Sequence, residues 1–425
     1  MTAPASSIDA RAPAPERVAR LRALLGSLEA RARARNAVPR PERVRAPLPG
    51  ELRETPHGPV QVVEHWLEPA HCHGRVAIRD ALAVDPDVVA RLALDAQMRV
   101  VDPRRLLFVD TETTGLSGGT GTLCFLVGLA WFEDESLRVE QLLLRRPGEE
   151  APMLRLLAER LDQASCLVTF NGKSFDWPLL RTRFVLNRVA TPLPKAHLDL
   201  LHCARRVYKR RLGAVRLVQL EEGVLGMRRE RDIDGAEIPT LYLEYLRRGA
   251  GTILAPIVEH NLHDIVALAA ILARLVHDYA TVREDGEPED HLSIAQLAAR
   301  AADDARAVLF ARAAARGSSA WQIATQAHSL VARVARRQGE HQLAALALAE
   351  ALCAASPDAL EASRVHLELA KLYEHRLRDP ARALEHARAC ALAEDASTSA
   401  RRVSRLEARI ARAAGAKRRP ARRRD

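Results

Sequence analysis

The sequence is 425 residues long, more than one ordinary hydrophobic core accommodates, so two domains with additional terminal segments are expected. Its net charge of +10 is concentrated at the ends, with +6 in the first 50 residues and +9 in the last 25, which leaves −5 for the rest. The basic composition therefore does not by itself indicate a nucleic-acid groove in the body of the protein. No run approaches the roughly 20 uninterrupted apolar residues of a membrane span, and we expect no membrane partner.

The N-terminal region, residues 1–49, is basic and partly disordered by composition. Its acids and its lack of a secretory apolar core favour an uncleaved leader. Within it, apolar spacing from Glu16 to Arg35 predicts one amphipathic helix. Six scattered cysteines without paired spacing indicate reduced thiols and a cytoplasmic protein.

Residues 50–285 alternate between strand and helix patterns and predict an α/β domain with its core at 104–275. The runs "RRLLFVD", "GTLCFLVGLAWF", "LRVEQLLLRR" and "CLVTF" are predicted strands, and "EEAPMLRLLAERLDQ" and "FDWPLLRTRFVLNRV" are predicted helices. Three sequential strands followed by alternation indicate a mixed sheet flanked by helices. The cluster "HCH" at 71–73 has no matching Cys/His pair, so no zinc site is expected there.

Residues 286–412 show only helical patterns and predict an all-α domain, followed by a basic tail at 413–425. An acid followed by small residues recurs at Asp303, Glu340 and Asp379, near the spacing of helix-pair repeats. The unit "HLELAKLYEHRLRDPARALEHARACALA" resembles a tetratricopeptide repeat, which implies a protein partner. A plain helical bundle is the alternative. The tail serves either solubility or attraction to polyphosphate.

Four acids follow predicted buried elements. Asp110 and Glu112 end a strand two residues apart, so their side chains point to the same side. Asp176 begins a helix after "CLVTF", and Asp264 lies on an apolar helix with His260 one turn before it. Four carboxylates together repel one another unless a multivalent cation lies among them, and oxygen ligands suit Mg²⁺ or Mn²⁺. Two such ions would support phosphodiester hydrolysis.

Three of these stretches resemble a known family. "FVDTETTGL", "FNGKSFD" and "HNLHD" resemble the three motifs of DnaQ-like (DEDD) 3′–5′ exonucleases, and the run from His197 to Leu246 is similar to the YprB-type RNase H-like family. The resemblance implies an RNase H-like fold and metal-dependent 3′–5′ exonuclease activity on DNA or RNA. It implies that Asp110, Glu112, Asp176 and Asp264 bind two metal ions.

The resemblance also implies that His260 holds or deprotonates the attacking water. In the histidine-type members the histidine precedes the last aspartate by five residues, whereas here the separation is four. His263 is therefore a second candidate for this role. A surface histidine bonded to Asp264 is the alternative reading of His260.

Weaker candidates surround the acids. Small residues at Thr113 and Gly115 would let a nucleotide lie against the backbone. Asn171 either supports the site through hydrogen bonds or serves as a turn residue before Gly172. The glycine-rich "LSGGTGT" lacks the lysine and helix of a nucleotide-triphosphate loop and is interpreted as a flap or hairpin turn.

The densest basic run of the acidic body is "ARRVYKRRLGAVR". On a helix, its Arg and Lys side chains would grip phosphates and its Tyr would stack on a base. The alternative is a solvated charged face. The substrate-binding candidates in this run are Arg205, Tyr208, Lys209 and Arg210.

The sequence thus predicts a metal-dependent nuclease, most specifically a 3′–5′ exonuclease, followed by a helical repeat domain. Two alternatives stay open. One is a nucleic-acid-binding adaptor whose repeats recruit a partner and whose nuclease site is weak or inactive. The other is a structure-specific endonuclease, since this fold hosts both modes of cleavage.

Overall fold

The computed structural model describes residues 47–115, 121–230, 232–355 and 358–417. The helix predicted from Glu16 to Arg35, most of the glycine-rich segment and the end of the basic tail lie outside these residues.

A mixed sheet forms the first part of the described chain. Its seven strands are β1 (Glu51–Arg53), β2 (Val60–Leu67), β5 (Leu106–Thr113), β6 (Cys124–Glu133), β7 (Ser136–Leu143), β8 (Cys166–Thr169) and β9 (His197–Asp199). The strands β3 (Cys72–His73) and β4 (Val76–Ala77) form a separate short hairpin. The sheet order is β1-β2-β7-β6-β5-β8-β9. Strand β5 is antiparallel to β6 and parallel to β8. The predicted mixed sheet is therefore confirmed.

Helices flank the sheet and then make up the remainder of the described chain. They are α1 (Pro86–Ala93), α2 (Glu150–Gln163), α3 (Asp176–Leu186), α4 (Leu200–Leu212), α5 (Leu217–Leu220), α6 (Ile238–Arg248), α7 (Ala255–Ala280), α8 (Pro288–Arg300), α9 (Asp304–Gly317), α10 (Trp321–Arg337), α11 (His341–Ala354), α12 (Ala359–Leu372), α13 (Pro380–Ala389) and α14 (Ala396–Lys417).

Strand β5 is buried on both faces because helices cover both sides of the sheet. Phe108 packs into the larger of the two cores, which contains α7, whereas Leu107 and Val109 pack into the smaller core with α2 and α3. This alternation follows from the two-residue period of a strand. The even-numbered residues of β5 therefore face α7, and the acids at its end share that face.

Helix α7 is the central helix of the larger core. Its segment Gly251–Ala280 is long and apolar enough to cross a membrane by length and composition alone. In this fold more than half of that apolar stretch is buried, and the helix packs against β5 and β6. The apolar composition is accounted for by its position in the core.

From α8 to α14 each helix packs against the next one in sequence, which confirms a helix-rich C-terminal region. The tetratricopeptide identity of this region stays a prediction, as do the domain boundaries. The expected start at residue 286 falls between α7 and α8. The larger core nevertheless runs without interruption across that point, because α8 packs on α4 and its Leu292 belongs to the same buried cluster as Leu201.

Candidate metal centre

The four predicted carboxylates lie at one end of the sheet. Asp110 and Glu112 leave the same face of β5. Asp176 is the first residue of α3, the helix that follows β8, and Asp264 lies in the first half of α7. Burial raises the pKa of Asp110 well above its ordinary value, and repulsion from Asp264, Glu112 and Asp176 raises this pKa further. The four carboxylates therefore share one poorly solvated pocket.

Three side chains offer ligand atoms to a common point. A carboxylate oxygen of Glu112, an imidazole nitrogen of His260 and a carboxylate oxygen of Asp264 lie within 4.8 Å of one another. No other such group of three or more is found in the part of the chain that the structure describes. Burial, followed by repulsion from Asp264 and Asp176, raises the pKa of Glu112 well above its ordinary value. A bound divalent cation would relieve this repulsion, so the residues present fit a metal ion.

Hydrogen bonds hold the other two carboxylates. The Nδ2 atom of Asn261 donates to Oδ2 of Asp110 at 2.9 Å, and the hydroxyl of Thr111 donates to Oδ1 of Asp176. Burial raises the pKa of Asp176 to about 6 in spite of the Thr111 hydrogen bond. The sequence analysis did not identify Asn261. Its signal was available, since it lies three residues before Asp264 and thus on the same face of α7.

A counter-charge for the acids is already present within the chain. Arg229, in the segment before α6, has a side chain that is only 3% exposed. Its Nη2 lies 2.5 Å from Oδ1 of Asp264, its Nη1 lies 2.9 Å from Oδ2 of Asp232, and its Nε lies 2.8 Å from Oε2 of Glu221. Sequence reasoning missed Arg229, because the charged run "RRERDID" does not reveal which arginine turns inward.

The imidazole of His260 lies between two carboxylates. Its Nδ1 is 2.7 Å from Oδ1 of Asp232, and its Nε2 is 3.6 Å from Oδ2 of Asp264. Burial opposes ionisation of Asp232, but the hydrogen bond with His260 and the contact with Arg229 outweigh it and lower the pKa of this carboxyl. Asp232 was also missed from the sequence.

The competing candidate His263 does not belong to the group of convergent ligand atoms. Burial lowers its pKa, and its Nδ1 atom is enclosed with no hydrogen-bond partner among the described residues.

The residues expected to contact a nucleotide lie beside the acids. The Thr113 hydroxyl donates to the carbonyl oxygen of Gly115 at 3.0 Å. Among the residues that the structure describes, a Cβ atom at Gly115 would meet nothing within 4 Å. Asn171 adopts a left-handed φ of 67°, and its backbone N–H donates to Oδ1 of Asp199 at 2.8 Å. This geometry matches the turn role considered for Asn171.

Two further acids, Asp199 and Glu221, are engaged within the fold. Asp199 accepts backbone hydrogen bonds at the start of α4 and in the turn after β8. Glu221 is 1% exposed and lies 2.7 Å from Nε2 of His73, so this residue of the "HCH" cluster is part of a buried polar network. Glu221 also connects this network to Arg229.

The basic run lies on α4, and the structure contradicts one prediction made for it. Tyr208 is 1% exposed and its hydroxyl donates to Oδ2 of Asp278 at 3.0 Å. The ring is thus part of the core and cannot stack on a base. Asp278 follows Asp264 by fourteen residues on α7, which is about 21 Å along the helix axis. The basic run therefore lies well away from the acids.

The charged side chains of the run divide into two groups. Arg206 donates to the carbonyl of Leu92, and Arg211 pairs with Asp290 at 2.8 Å, so these two join elements of the fold. The other three predicted phosphate contacts are exposed on α4. They are Arg205, Lys209 and Arg210.

Parts of this chain are similar to known proteins. Residues 107–276 match the RNase_H superfamily. The chain is 38% identical over 188 residues to the uncharacterized protein YprB of Bacillus subtilis strain 168. This match covers 44% of the chain and 45% of the Bacillus protein, so the chain spans less than half of that relative. A family B DNA polymerase structure from the archaeon Pyrobaculum calidifontis matches with 13% identity and a TM-score of 0.31, over 55% of this chain and 29% of the polymerase. Residues 107–276 are thus similar to the RNase_H superfamily, and a stretch of 188 residues of the chain is similar to YprB.

Proposed function

We propose that this protein is a metal-dependent nuclease that hydrolyses phosphodiester bonds, and more specifically a 3′–5′ exonuclease acting on DNA or RNA. The observation that carries the proposal is the convergence of Glu112, His260 and Asp264 beside the carboxylates of Asp110 and Asp176, whose pKa values are raised by desolvation. Ionised carboxylates removed from water are costly, and the single charge of Arg229 cannot neutralise four of them, so the pocket favours a bound cation.

The proposed ligands of two Mg²⁺ or Mn²⁺ ions are the four carboxylates. When bound, the ions supply activation of water and stabilisation of the leaving oxygen. His260 holds the attacking water or takes its proton through Nε2, the nitrogen that faces Asp264. Asn261 and Thr111 keep Asp110 and Asp176 in place, so that these acids do not rearrange during the reaction.

The lack of a described neighbour near Gly115 supports the approach of the terminal nucleotide. On α4, Arg205, Lys209 and Arg210 are proposed to contact phosphates of the strand farther from the acids, in line with their exposure. The helical region from α8 onward is proposed to bind a protein partner. A cytoplasmic location is proposed from the six free cysteines, four of which are buried.

The product pattern tests the proposal. The full chain is incubated with 5′-labelled and 3′-labelled DNA and RNA strands in Mn²⁺, Mg²⁺ or EDTA. A 3′–5′ exonuclease gives a ladder from the 5′-labelled strand and released mononucleotide from the 3′-labelled strand. Discrete internal products would instead indicate an endonuclease.

Matched variants assign any cleavage to this site. Glu112→Gln is expected to abolish cleavage, whereas Glu159→Gln, an exposed glutamate on α2, is expected to retain it. Cleavage by the Glu112→Gln variant at the wild-type rate would overturn the proposal.

The adaptor alternative draws support from Arg229, which neutralises part of the acidic charge without a metal ion. It is distinguished by the same experiment. Binding of labelled strands with no product in any metal would favour the adaptor, whereas turnover that EDTA abolishes would favour the nuclease.

A further inference from the structure

The outer edge of the sheet along β2 is paired over only part of its length. Strand β1 pairs with residues 60–62 of β2, whereas β7 pairs with residues 61–67 on the other side. The chain enters β1 from Gly50, whose left-handed φ of 73° interrupts the extended conformation there. Alternate residues of an antiparallel strand direct their N–H and C=O groups to opposite sides. Within residues 64–67, the groups that point away from β7 therefore have no partner strand among the residues that the structure describes.

A tryptophan lies on this unpaired stretch of β2. Trp66 is 55% exposed, and its register partner on β7 is Arg138. The guanidinium carbon of Arg138 lies 5.2 Å from the ring centroid of Trp66 and 5.4 Å from that of Trp131. The guanidinium carbon of Arg160 lies 4.3 Å from the ring centroid of Trp131. Trp66 is therefore the exposed end of a series in which tryptophan and arginine alternate, and the exposed part of its ring can accept a further cation.

The charged side chains around this series balance one another, but the acids beside it are in excess. Three arginines and three glutamates form a cluster, which consists of Arg53, Arg138, Arg160, Glu64, Glu133 and Glu140. Glu68 directly follows β2, and Asp134 and Glu135 form the β6–β7 turn beside it. These three acids are exposed and make no ion pair within the described part of the chain. The unpaired stretch of β2 thus lies on a negatively charged surface.

We propose that residues 64–67 of β2 dock an extended basic segment of a partner protein, which adds as a strand at this edge and places an arginine or lysine side chain against Trp66. Strand addition of this kind takes its affinity from main-chain hydrogen bonds and its specificity from alternate side chains. Every second side chain of the added strand lies on the face of the sheet that carries Trp66. The exposed acids beside β2 attract a basic segment and repel the phosphates of a nucleic acid. Strands β7 and β6 separate β2 from β5, so this surface is distinct from the candidate metal centre.

Labelled synthetic peptides added to the full chain test the proposal. The probe is the end-blocked peptide RVRVRV, which is basic and suited to an extended conformation, and fluorescence anisotropy measures its affinity for the wild type. The peptide RPRPRP has the same charge but pairs poorly as a strand, because proline lacks the N–H group. The peptide EVEVEV keeps the strand pattern and reverses the charge. RVRVRV is expected to bind, and both control peptides are expected to bind more weakly.

Matched variants assign the binding to Trp66. Trp66→Ala is expected to weaken the binding of RVRVRV by about 3–30-fold, which corresponds to the loss of one cation–π contact. Leu193→Ala removes an 81% exposed side chain from another segment and is expected to bind the peptide as the wild type does.

A second measurement does not depend on the folding of any variant. Hydrogen exchange on the wild type is followed with and without RVRVRV. The amides of residues 64–67 that point away from β7 are expected to exchange more slowly when the peptide is bound, because they then donate to its carbonyl oxygens. The amides of β2 that bond to β7 are expected to keep their exchange rates.

Several results would overturn the proposal. They are no binding of RVRVRV, no protection of the outward-pointing amides, equally tight binding of either control peptide, or a change of less than about threefold in Trp66→Ala. Displacement of the bound peptide by a DNA strand would show that the surface takes nucleic acid instead, and it would also overturn the proposal.

Discussion

Gly128 on β6 and Asn261 on α7 are packed so closely that a Cβ atom at position 128 would lie 2.2 Å from Oδ1 of Asn261. Gly128 is also the residue paired with Asp110 in the β5–β6 register. The absence of a side chain at Gly128 thus lets α7 lie against the sheet, so that Asn261 reaches Asp110. Gln141 completes the arrangement by donating to Oδ1 of Asn261 at 2.9 Å.

We predict that Gly128→Ala lowers both stability and cleavage. The added methyl group would displace Asn261 and Ile265, and overpacking of this kind typically costs about 1–3 kcal/mol. Urea unfolding and the strand-cleavage assay measure the two effects. Gly235→Ala is the matched control, because a Cβ atom there would meet nothing within 4 Å. Equal stability of the two variants would contradict this account of the packing.

Asp110→Asn is predicted to be inactive and more stable than the wild type when metal-free. Burial and then the neighbouring carboxylates raise the pKa of Asp110, so its ionised form is unfavourable in the folded state. An amide removes this repulsion and can still accept the hydrogen bond from Asn261. The melting temperature at pH 7 in EDTA is expected to rise by about 2–4 °C, the shift that 1 kcal/mol gives in a domain of this size. A lower melting temperature, or undiminished cleavage, would show that the charge has another role.

The pH dependence of stability should report on Asp176. Its pKa is raised by burial from 3.8 to about 6, so the folded state binds more protons than the unfolded state between these values. The contribution of Asp176 to stability is therefore full below about pH 4 and is lost as the pH rises through about 6. In EDTA, the melting temperature of Asp176→Asn relative to the wild type is expected to increase from pH 4 to pH 7. A difference that stays constant over this range would contradict the raised pKa, and exposed Asp162→Asn serves as the control.

Tyr208→Phe is predicted to destabilise the protein without affecting nucleic-acid binding. The lost hydroxyl is a buried donor to Asp278, and a hydrogen bond to a charged group contributes about 1.5–3 kcal/mol. Chemical denaturation measures the loss, and strand binding at several salt concentrations measures the affinity. If the variant remains folded but binds nucleic-acid strands more weakly, Tyr208 does contribute to nucleic-acid binding and this prediction is wrong.

The mixed sheet could be predicted from the sequence, and the acids at its strand ends could be picked out as candidates, for physical reasons. Buried strands such as β5 and β8 are apolar runs of distinct composition, and the acids that follow them stand out by contrast. Asp264 and His260 are recognisable because they interrupt an apolar helix at one-turn spacing. When the pattern of a strand or helix shows whether a residue in it is buried, the position of that residue can be predicted without knowing the tertiary structure.

Arg229 and Asp232 could not be placed in this way. They lie in an irregular charged segment, and only tertiary packing decides that Arg229 turns inward while the adjacent Arg228 is 87% exposed. Tyr208 is a different case. It lies four residues after Ala204 and seven after Leu201, which places it on the apolar face of α4. The helical period predicted that Tyr208 is buried. The basic residues beside it instead led to the prediction that its ring stacks on a nucleic-acid base.

A chain ending at residue 285 is predicted to be poorly folded. This truncation removes α8. The face of α4 on which α8 packs would then be exposed, and Arg211 would lose its ion-pair partner Asp290. The melting temperature and the oligomeric state of the purified fragment measure this effect. A longer fragment ending at residue 355, which keeps α8 to α11, is expected to remain monomeric. A monomeric short fragment that melts at the temperature of the full chain would refute the shared core.

Helix α7 carries residues of the candidate metal centre and also contacts the C-terminal helices. Its 26 residues span about 39 Å, with Asp264 in the first half, while the carbonyl oxygen of Tyr279 near its end accepts a hydrogen bond from Arg306 of α9. Asp264 and the attachment point of α9 therefore belong to one uninterrupted helix with no intervening loop.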